Sequence, residues 1–205
     1  MAQSYSHTPR RSRASKRRSR RILIGVAVVL LAVVGVLWLY SSLCDRWKRK
    51  QYPLRYETLV CEAAANYRIP EAVLYAVMRT ESSFSADAVS PAGAVGLMQI
   101  TPDTYNWLSS HSKAPPEGDL TDPAVNIAYG AYYLSILYDE FGDWRLTWAA
   151  YNAGPNRVRN WITTDPTLQH IPIAETETYV TRVSRSMQIY ESLYFSTETN
   201  GKEVA

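Results

Sequence analysis

The chain has 205 residues, enough for one domain with attachments, and its 46% hydrophobic and 20% charged residues exclude a disordered tail or a pure coiled coil. The net charge of +3 conceals a division: residues 1–21 hold eight Arg/Lys and no acid, whereas residues 51–205 hold ten Arg/Lys against eighteen Asp/Glu, a net charge of −8. Basicity therefore belongs to a short tail, which excludes a globally basic nucleic-acid-binding domain.

The first element is that tail, residues 1–21. Next comes an apolar run: Ile22–Leu39 carries no polar or charged side chain, and a weakly polar continuation extends it to Leu43. As a helix, residues 22–43 reach about 33 Å, enough to cross a bilayer core of about 30 Å. Trp38 and Tyr40 stand where interfacial aromatic anchors belong. A buried core helix and a cleaved signal peptide are the alternatives. Against the second, the run exceeds the usual 7–15 or so apolar residues and no small-x-small cleavage site follows. Eight basic residues precede the span, and Arg46, Lys48, Arg49 and Lys50 follow it. The imbalance predicts a single-pass protein of the cell membrane with a cytoplasmic N-terminus and an extracytoplasmic body.

Residues 44–55 read as a polar stalk. Beyond it, helices alternate with brief turns. Tyr56–Arg68 carries Leu59, Ala63, Ala64 and Tyr67 at helical spacing, and Pro70 restarts a helix through Thr80 with Val73, Val77 and Met78 on its apolar face. Ser82–Gly93 reads as a loop, a short helix follows Pro102, and Pro115, Pro116 and Gly118 mark another loop. Asp122-Pro123 has the form of an N-cap before proline at the first helical position, opening a long helix to Phe141. A neighbour spans Trp144–Asn152 and stops near Gly154-Pro155. A last helix runs over Glu175–Tyr194, before a polar tail at 196–205. No valine-rich alternation occurs outside the span. The expected fold class is mostly α, a compact helical domain behind one transmembrane helix.

Cys44 and Cys61 allow one disulfide but no framework, and the three histidines lie far apart in sequence. No metal site or cofactor is expected.

Glu81 is the central candidate. It closes an apolar-faced helix directly before a Ser/Gly-containing loop, where desolvation can keep a carboxyl protonated near neutral pH, as a general acid requires. From position alone, a solvated or capping glutamate fits as well. Four ordered blocks decide the reading: Glu81-Ser82-Ser83-Phe84, Ser90-Pro91-Ala92-Gly93-Ala94-Val95-Gly96-Leu97-Met98-Gln99-Ile100, Ala150-Tyr151-Asn152-Ala153-Gly154, and Ile171 to Val180 with Glu175, Glu177 and Tyr179. Together they resemble the catalytic domain of the Slt-type soluble lytic transglycosylases, relatives of goose-type lysozyme, over residues 56–195.

The resemblance implies a lysozyme-like helical fold with a glycan-binding cleft. It also implies cleavage of the β-1,4 bond between N-acetylmuramic acid and N-acetylglucosamine in peptidoglycan. Glu81 would be the single catalytic acid/base, giving 1,6-anhydromuramoyl ends without water. Ser90 and Gln99 match cleft-lining positions, and Met98 belongs to the same substrate-binding loop, with its side chain expected beneath. Tyr151 matches the tyrosine near the reacting sugar. Asn152 fastens its loop or donates to substrate. Glu175 matches a substrate-positioning glutamate at the start of the last helix. Tyr179, one turn on, shares its face. Glu177 is expected to be a solvated neighbour, and Asp87, the nearest following carboxylate, a turn residue. Thr101 departs from the family pattern, where methionine is common. Tyr105, Trp107, Tyr129, Tyr132, Tyr133, Trp144, Trp148 and Trp161 suit either core packing or sugar contact. Implied partners are peptidoglycan strands, the bacterial membrane and an envelope or wall-remodelling complex, with no nucleic acid. A hydrolytic muramidase on the same fold and a non-catalytic glycan-binding scaffold are the alternatives.

Overall fold

The computed structural model describes residues 13–166, 168 and 170–196. The expected tail at 1–21 is described only from Arg13, and that at 196–205 only at Ser196.

Helix α1 (Arg13–Gln51) follows from the apolar run and its strong helix-forming flanks. Its Leu23–Gln51 segment contains a window with a mean hydropathy of 2.7, and none of that window is buried in the chain. A helix apolar on every side needs a nonaqueous surrounding, and this one is long enough to span a bilayer. The segment expected as a stalk is helical through Gln51. Tyr52 already belongs to the second compact unit, where the Tyr194 and Tyr190 hydroxyls donate to the carbonyls of Tyr52 and Pro53 at 2.9 and 3.2 Å.

In that second unit, α2 (Glu57–Tyr67) ends at Arg68, whose left-handed backbone (φ 56°) lets its N–H reach the Ala64 carbonyl. Pro70 then opens α3 (Glu71–Glu81). Seven consecutive residues of α3, Ala72–Met78, are buried. The sequence marks an apolar face there; the structure surrounds the whole helix, because α2 and α8 (Ala174–Tyr190) both pack on it. The central helix of the core thus delivers Glu81 at its C-terminal end.

Helix α4 (Pro102–Ser109) is capped by the Thr101 hydroxyl, which accepts from the Thr104 N–H at 3.2 Å. The polar side chain at the family's methionine position therefore has a local structural role. Asp122 caps α5 (Pro123–Phe141) as expected, accepting from the Ala124 N–H at 2.8 Å, and Gly142 closes it at φ 63°. Asp143 caps α6 (Trp144–Ala153). Gly154-Pro155, which reads as a stop, is also a start: Pro155 occupies the first position of α7 (Pro155–Thr164), absent from the sequence expectation. The final α-helix ends at Tyr190, and its expected last turn is a π-helical turn over Glu191–Phe195. Among the described residues, β pairing is limited to bridges of Val95 with Val89 and Ile100.

Candidate active site

Three helices bring the central residues together. Glu81 ends α3, Tyr151 lies on α6 and Tyr179 on α8. The Tyr179 hydroxyl donates to Glu81 Oε1 at 2.7 Å, while Tyr151 donates to the Met98 carbonyl at 2.7 Å. Burial pushes the Glu81 carboxyl up from its ordinary 4.5 to about 7. The Tyr179 hydrogen bond and the nearby Arg182 charge both lower it, and desolvation outweighs them. Burial also holds the Tyr151 and Tyr179 phenols well above their ordinary range, with the Glu81 charge next in importance for each. Both phenols are therefore neutral donors at physiological pH.

The loop after α3 is shaped by backbone conformations that its residues must be held to adopt. Ser83 and Phe84 are left-handed at φ 51° and 66°, and Gly96 at φ 81°. A Cβ on Gly96 would meet Asn126 Nδ2 at 2.2 Å and the Leu120 carbonyl at 2.5 Å, so only glycine fits. Ser82 Oγ donates to the Leu97 carbonyl at 2.8 Å, fixing the helix end to the loop.

Asn126, 1% exposed, is the clamp that sequence reading missed. Its Oδ1 accepts from the Met98 N–H at 2.7 Å, and its Nδ2 donates to the Val95 and Leu120 carbonyls at 2.9 and 2.8 Å. A polar residue in the apolar run of α5 was the available signal.

The remaining candidates divide by location. Ser90 Oγ accepts from the Ala94 N–H at 3.0 Å, which leaves its own proton to donate outward. Gln99, at φ 50°, spends its amide N–H groups on the Gly96 and Ala88 carbonyls, which leaves Oε1 to accept. The Met98 side chain lies beneath the loop rather than facing outward. It is fully buried and lies against Gly130, where a Cβ would come within 2.2 Å of its sulfur.

Asn152, Ala174, Glu175, Thr178, Tyr179 and Arg182 line a groove of about 350 Å3. Asn152 Oδ1 accepts from Thr176 Oγ1 at 2.8 Å, tying α6 to α8, and Glu175 stands exposed on the groove wall. A larger hollow of about 520 Å3, bordered by Tyr67, Arg68, Tyr132 and Asp139, holds none of these groups.

Two carboxylates differ in role. Glu177 is corrected from a solvated neighbour to a structural tie: its Oε2 accepts from the Ile171 N–H at 2.9 Å and pairs with Arg145 Nη2 at 3.6 Å. Asp87 is exposed and accepts from Ser85 Oγ at 2.7 Å, a bond that holds its carboxyl below the ordinary range. Cys44 and Cys61 are free thiols, and among the described residues no three His, Cys, Asp or Glu side chains converge.

The helical body thus holds one desolvated carboxyl, Glu81, against the neutral phenol of Tyr179, which itself lines the groove, an arrangement of the kind that proton transfer to a ligand requires. The transglycosylase SLT domain model matches residues 58–173, and the chain belongs to that family. It is 34% identical over 166 residues to the soluble lytic murein transglycosylase of Escherichia coli, covering 76% of this chain and 25% of that protein. Over 91 residues it is 42% identical to the membrane-bound lytic murein transglycosylase C of Mannheimia succiniciproducens, covering 42% and 26% of the two chains. The solved structure of an inactive mutant of the lytic transglycosylase Slt of Pseudomonas aeruginosa superposes with a TM-score of 0.64 at 35% identity, covering 70% of this chain and 25% of that one. The chain thus spans about a quarter of the length of the relatives it matches.

Proposed function

We propose that this chain is a membrane-anchored lytic transglycosylase that cleaves the β-1,4 bond between N-acetylmuramic acid and N-acetylglucosamine in peptidoglycan. The observation that carries the proposal is Glu81 itself, a carboxyl titrating at about 7 with Tyr179 bonded to one oxygen. The other oxygen is left to hold the transferable proton.

Glu81 donates that proton to the glycosidic oxygen as the bond to muramic C1 breaks. The sugar's own acetamido oxygen closes on C1 to give an oxazolinium-like intermediate, as in substrate-assisted glycosidases. The Glu81 carboxylate then takes the proton of the C6 hydroxyl, and O6 attacks C1. A 1,6-anhydro ring forms, Glu81 is protonated again, and no water is consumed.

This route needs a single carboxyl. In support, the side chains whose hydrogen bond or charge shifts the Glu81 carboxyl are Tyr179 and Arg182, and no carboxylate is among them in the described residues. Ser90, Gln99, Asn152 and Glu175 are assigned to substrate, through the groove wall and the loop's outward polar atoms. The N-terminus is assigned to the cytoplasm and the body to the outside, a reading supported by the eight-to-four excess of basic residues before the span.

The test is digestion of purified peptidoglycan by the full chain in detergent, native against Glu81→Gln, with the sugar termini identified by mass spectrometry. Anhydromuramoyl ends from the native protein alone are expected. Reducing muramic ends would make it a hydrolytic muramidase, and equal activity in the variant would remove Glu81 from its role.

A further inference from the structure

The end of α3 away from Glu81 borders a hollow of about 390 Å3, where Glu57, Cys61 and Glu62 of α2 meet Glu71 and Tyr75 of α3. Glu71 opens α3 and Glu81 closes it, about 15 Å apart along the axis, so the hollow is separate from the candidate active site. Its volume falls in the range of small-ligand sites, about 300–1,000 Å3. Glu57 and Cys61, and Glu71 and Tyr75, are i, i+4 pairs, so each helix turns one face to the hollow. Glu57 and Glu71 stand in the first turns of α2 and α3, where the helix field favours a carboxylate. That field does not account for Glu62, in the middle of α2. Among the described residues, the side chains of these three acids have neither an ion pair nor a hydrogen bond.

Tyr75 is the group that points to a ligand. Its ring stacks on Tyr190 at 5.2 Å in the core, and the residue is only 1% exposed. Its hydroxyl is buried and has no hydrogen-bond partner among the described residues. Burial raises the phenol above its ordinary range, and the Glu71 and Glu57 charges come next in importance. Both of those carboxylates line the hollow, so the polar end of Tyr75 lies on that side. A shielded hydroxyl without a partner carries a desolvation cost that a ligand bonded to it removes.

We propose that the hollow between α2 and α3 binds a primary alkylammonium, the end of a lysine-type side chain or of a free diamine. Such a group carries three N–H donors on one nitrogen, one each for Glu57, Glu71 and the oxygen of the neutral Tyr75 phenol. Leu54 offers an apolar wall for the methylene stem, and Glu62 and Thr58 are left for the rest of the ligand. Among the described residues no three acids, thiols or imidazoles converge as a metal ion requires. Acceptors spread around a hollow suit a cation that reaches them through separate N–H bonds. The site takes no part in the proposed bond cleavage, and its occupancy is measured without turnover.

The test uses the full chain in detergent, native and with Glu57→Gln, Glu71→Gln or Tyr75→Phe. Cys61 is an exposed free thiol on the wall of the hollow, so its rate of alkylation by iodoacetamide, read by mass spectrometry, reports occupancy. Nα-acetyl-lysine amide and cadaverine should slow alkylation of Cys61 and leave that of Cys44 unchanged, whereas Nα,Nε-diacetyl-lysine amide should slow neither. Whichever amine acts at the lower concentration identifies the source, peptide side chain or free diamine. Each variant should weaken the protecting amine about tenfold, the loss expected for one charge-assisted hydrogen bond. Tyr75→Phe should melt no lower than the native protein, because no bond within the chain is removed.

Equal protection by the diacetylated compound or by magnesium ion overturns the site, as does protection unchanged in Glu71→Gln and Tyr75→Phe. Failure of both amines to protect Cys61 overturns it too, and a lowered melting point in Tyr75→Phe would then assign the hydroxyl to a structural water. A native protein that releases no anhydro ends fails the proposed activity alone, since Cys61 protection is read without substrate.

Discussion

The Tyr179 hydroxyl and Glu81 Oε1 are joined by a 2.7 Å hydrogen bond across 98 residues of sequence. In the proposed function, Tyr179 acts through Glu81, as a positioning residue. Its donation favours the carboxylate, so Tyr179→Phe should raise the Glu81 pKa above about 7. The alkaline limb of the pH–rate profile is expected to move up by about one unit, with kcat lowered. An unmoved limb would show that Tyr179 only packs the core.

Glu81→Gln should lower anhydro-end release by about a hundredfold or more. Its effect on stability has the opposite sign. The folded pKa, raised to about 7 from 4.5, means that folding binds a proton between those values, so stability falls as pH rises through that window. The cost is absent below about 4.5 and complete above about 7. Glu81→Gln is therefore expected to stabilise the protein at pH 8 by about 1–3 kcal/mol and to be nearly neutral at pH 4. Denaturant melts at the two pH values check both signs.

Asn126→Ala removes three hydrogen bonds and leaves the Met98 N–H and the Val95 and Leu120 carbonyls unanswered in a buried place. A loss of about 2–4 kcal/mol is expected, read as a lowered denaturation midpoint. The same variant should lose activity, although Asn126 touches no substrate, because the loop that carries Ser90 and Gln99 is released.

Tyr151→Phe deletes the donor to the Met98 carbonyl. A destabilisation of about 1–2 kcal/mol is expected. Activity should fall by more than that change in folded population explains, since the ring also borders Glu81. Comparing rates below the melting transition separates the two effects.

Gly130→Ala tests the packing beneath the loop. The new methyl group would fall on the Met98 sulfur, and overpacking of about 1–3 kcal/mol is expected. The thermal midpoint should drop despite the better helix propensity of alanine.

The helices legible in the sequence were those with local punctuation. Asp122-Pro123 announces α5 through its cap and its fixed φ, and Pro70 announces α3. Helix α7 was missed because Gly154-Pro155 serves two neighbours, ending one helix and starting the next. Val158, Trp161 and Ile162 carried its spacing. Glu81, Tyr151, Asn152, Glu175 and Tyr179 were legible as members of ordered blocks, but their contacts were not. The Tyr179–Glu81 bond and the Asn126 clamp span 98 and 28–31 residues, and no helical period encodes a partner at that range. Glu177 was misread for a related reason. A helical wheel places it off the groove face, but the first turn of a helix lets a long carboxylate reach back to preceding backbone, here the Ile171 N–H.

The loop between α3 and α4 is anchored through its interior: Met98 is gripped at its amide, its carbonyl and its sulfur by three different helix residues. Val89, Pro91 and Ala92 on the outer rim take no part in that grip and stand exposed. The rim is thus a surface on which new side chains can be installed without disturbing the scaffold. Randomising those three positions, with the Met98 sockets kept intact, offers a route to variants that tolerate differently decorated glycans.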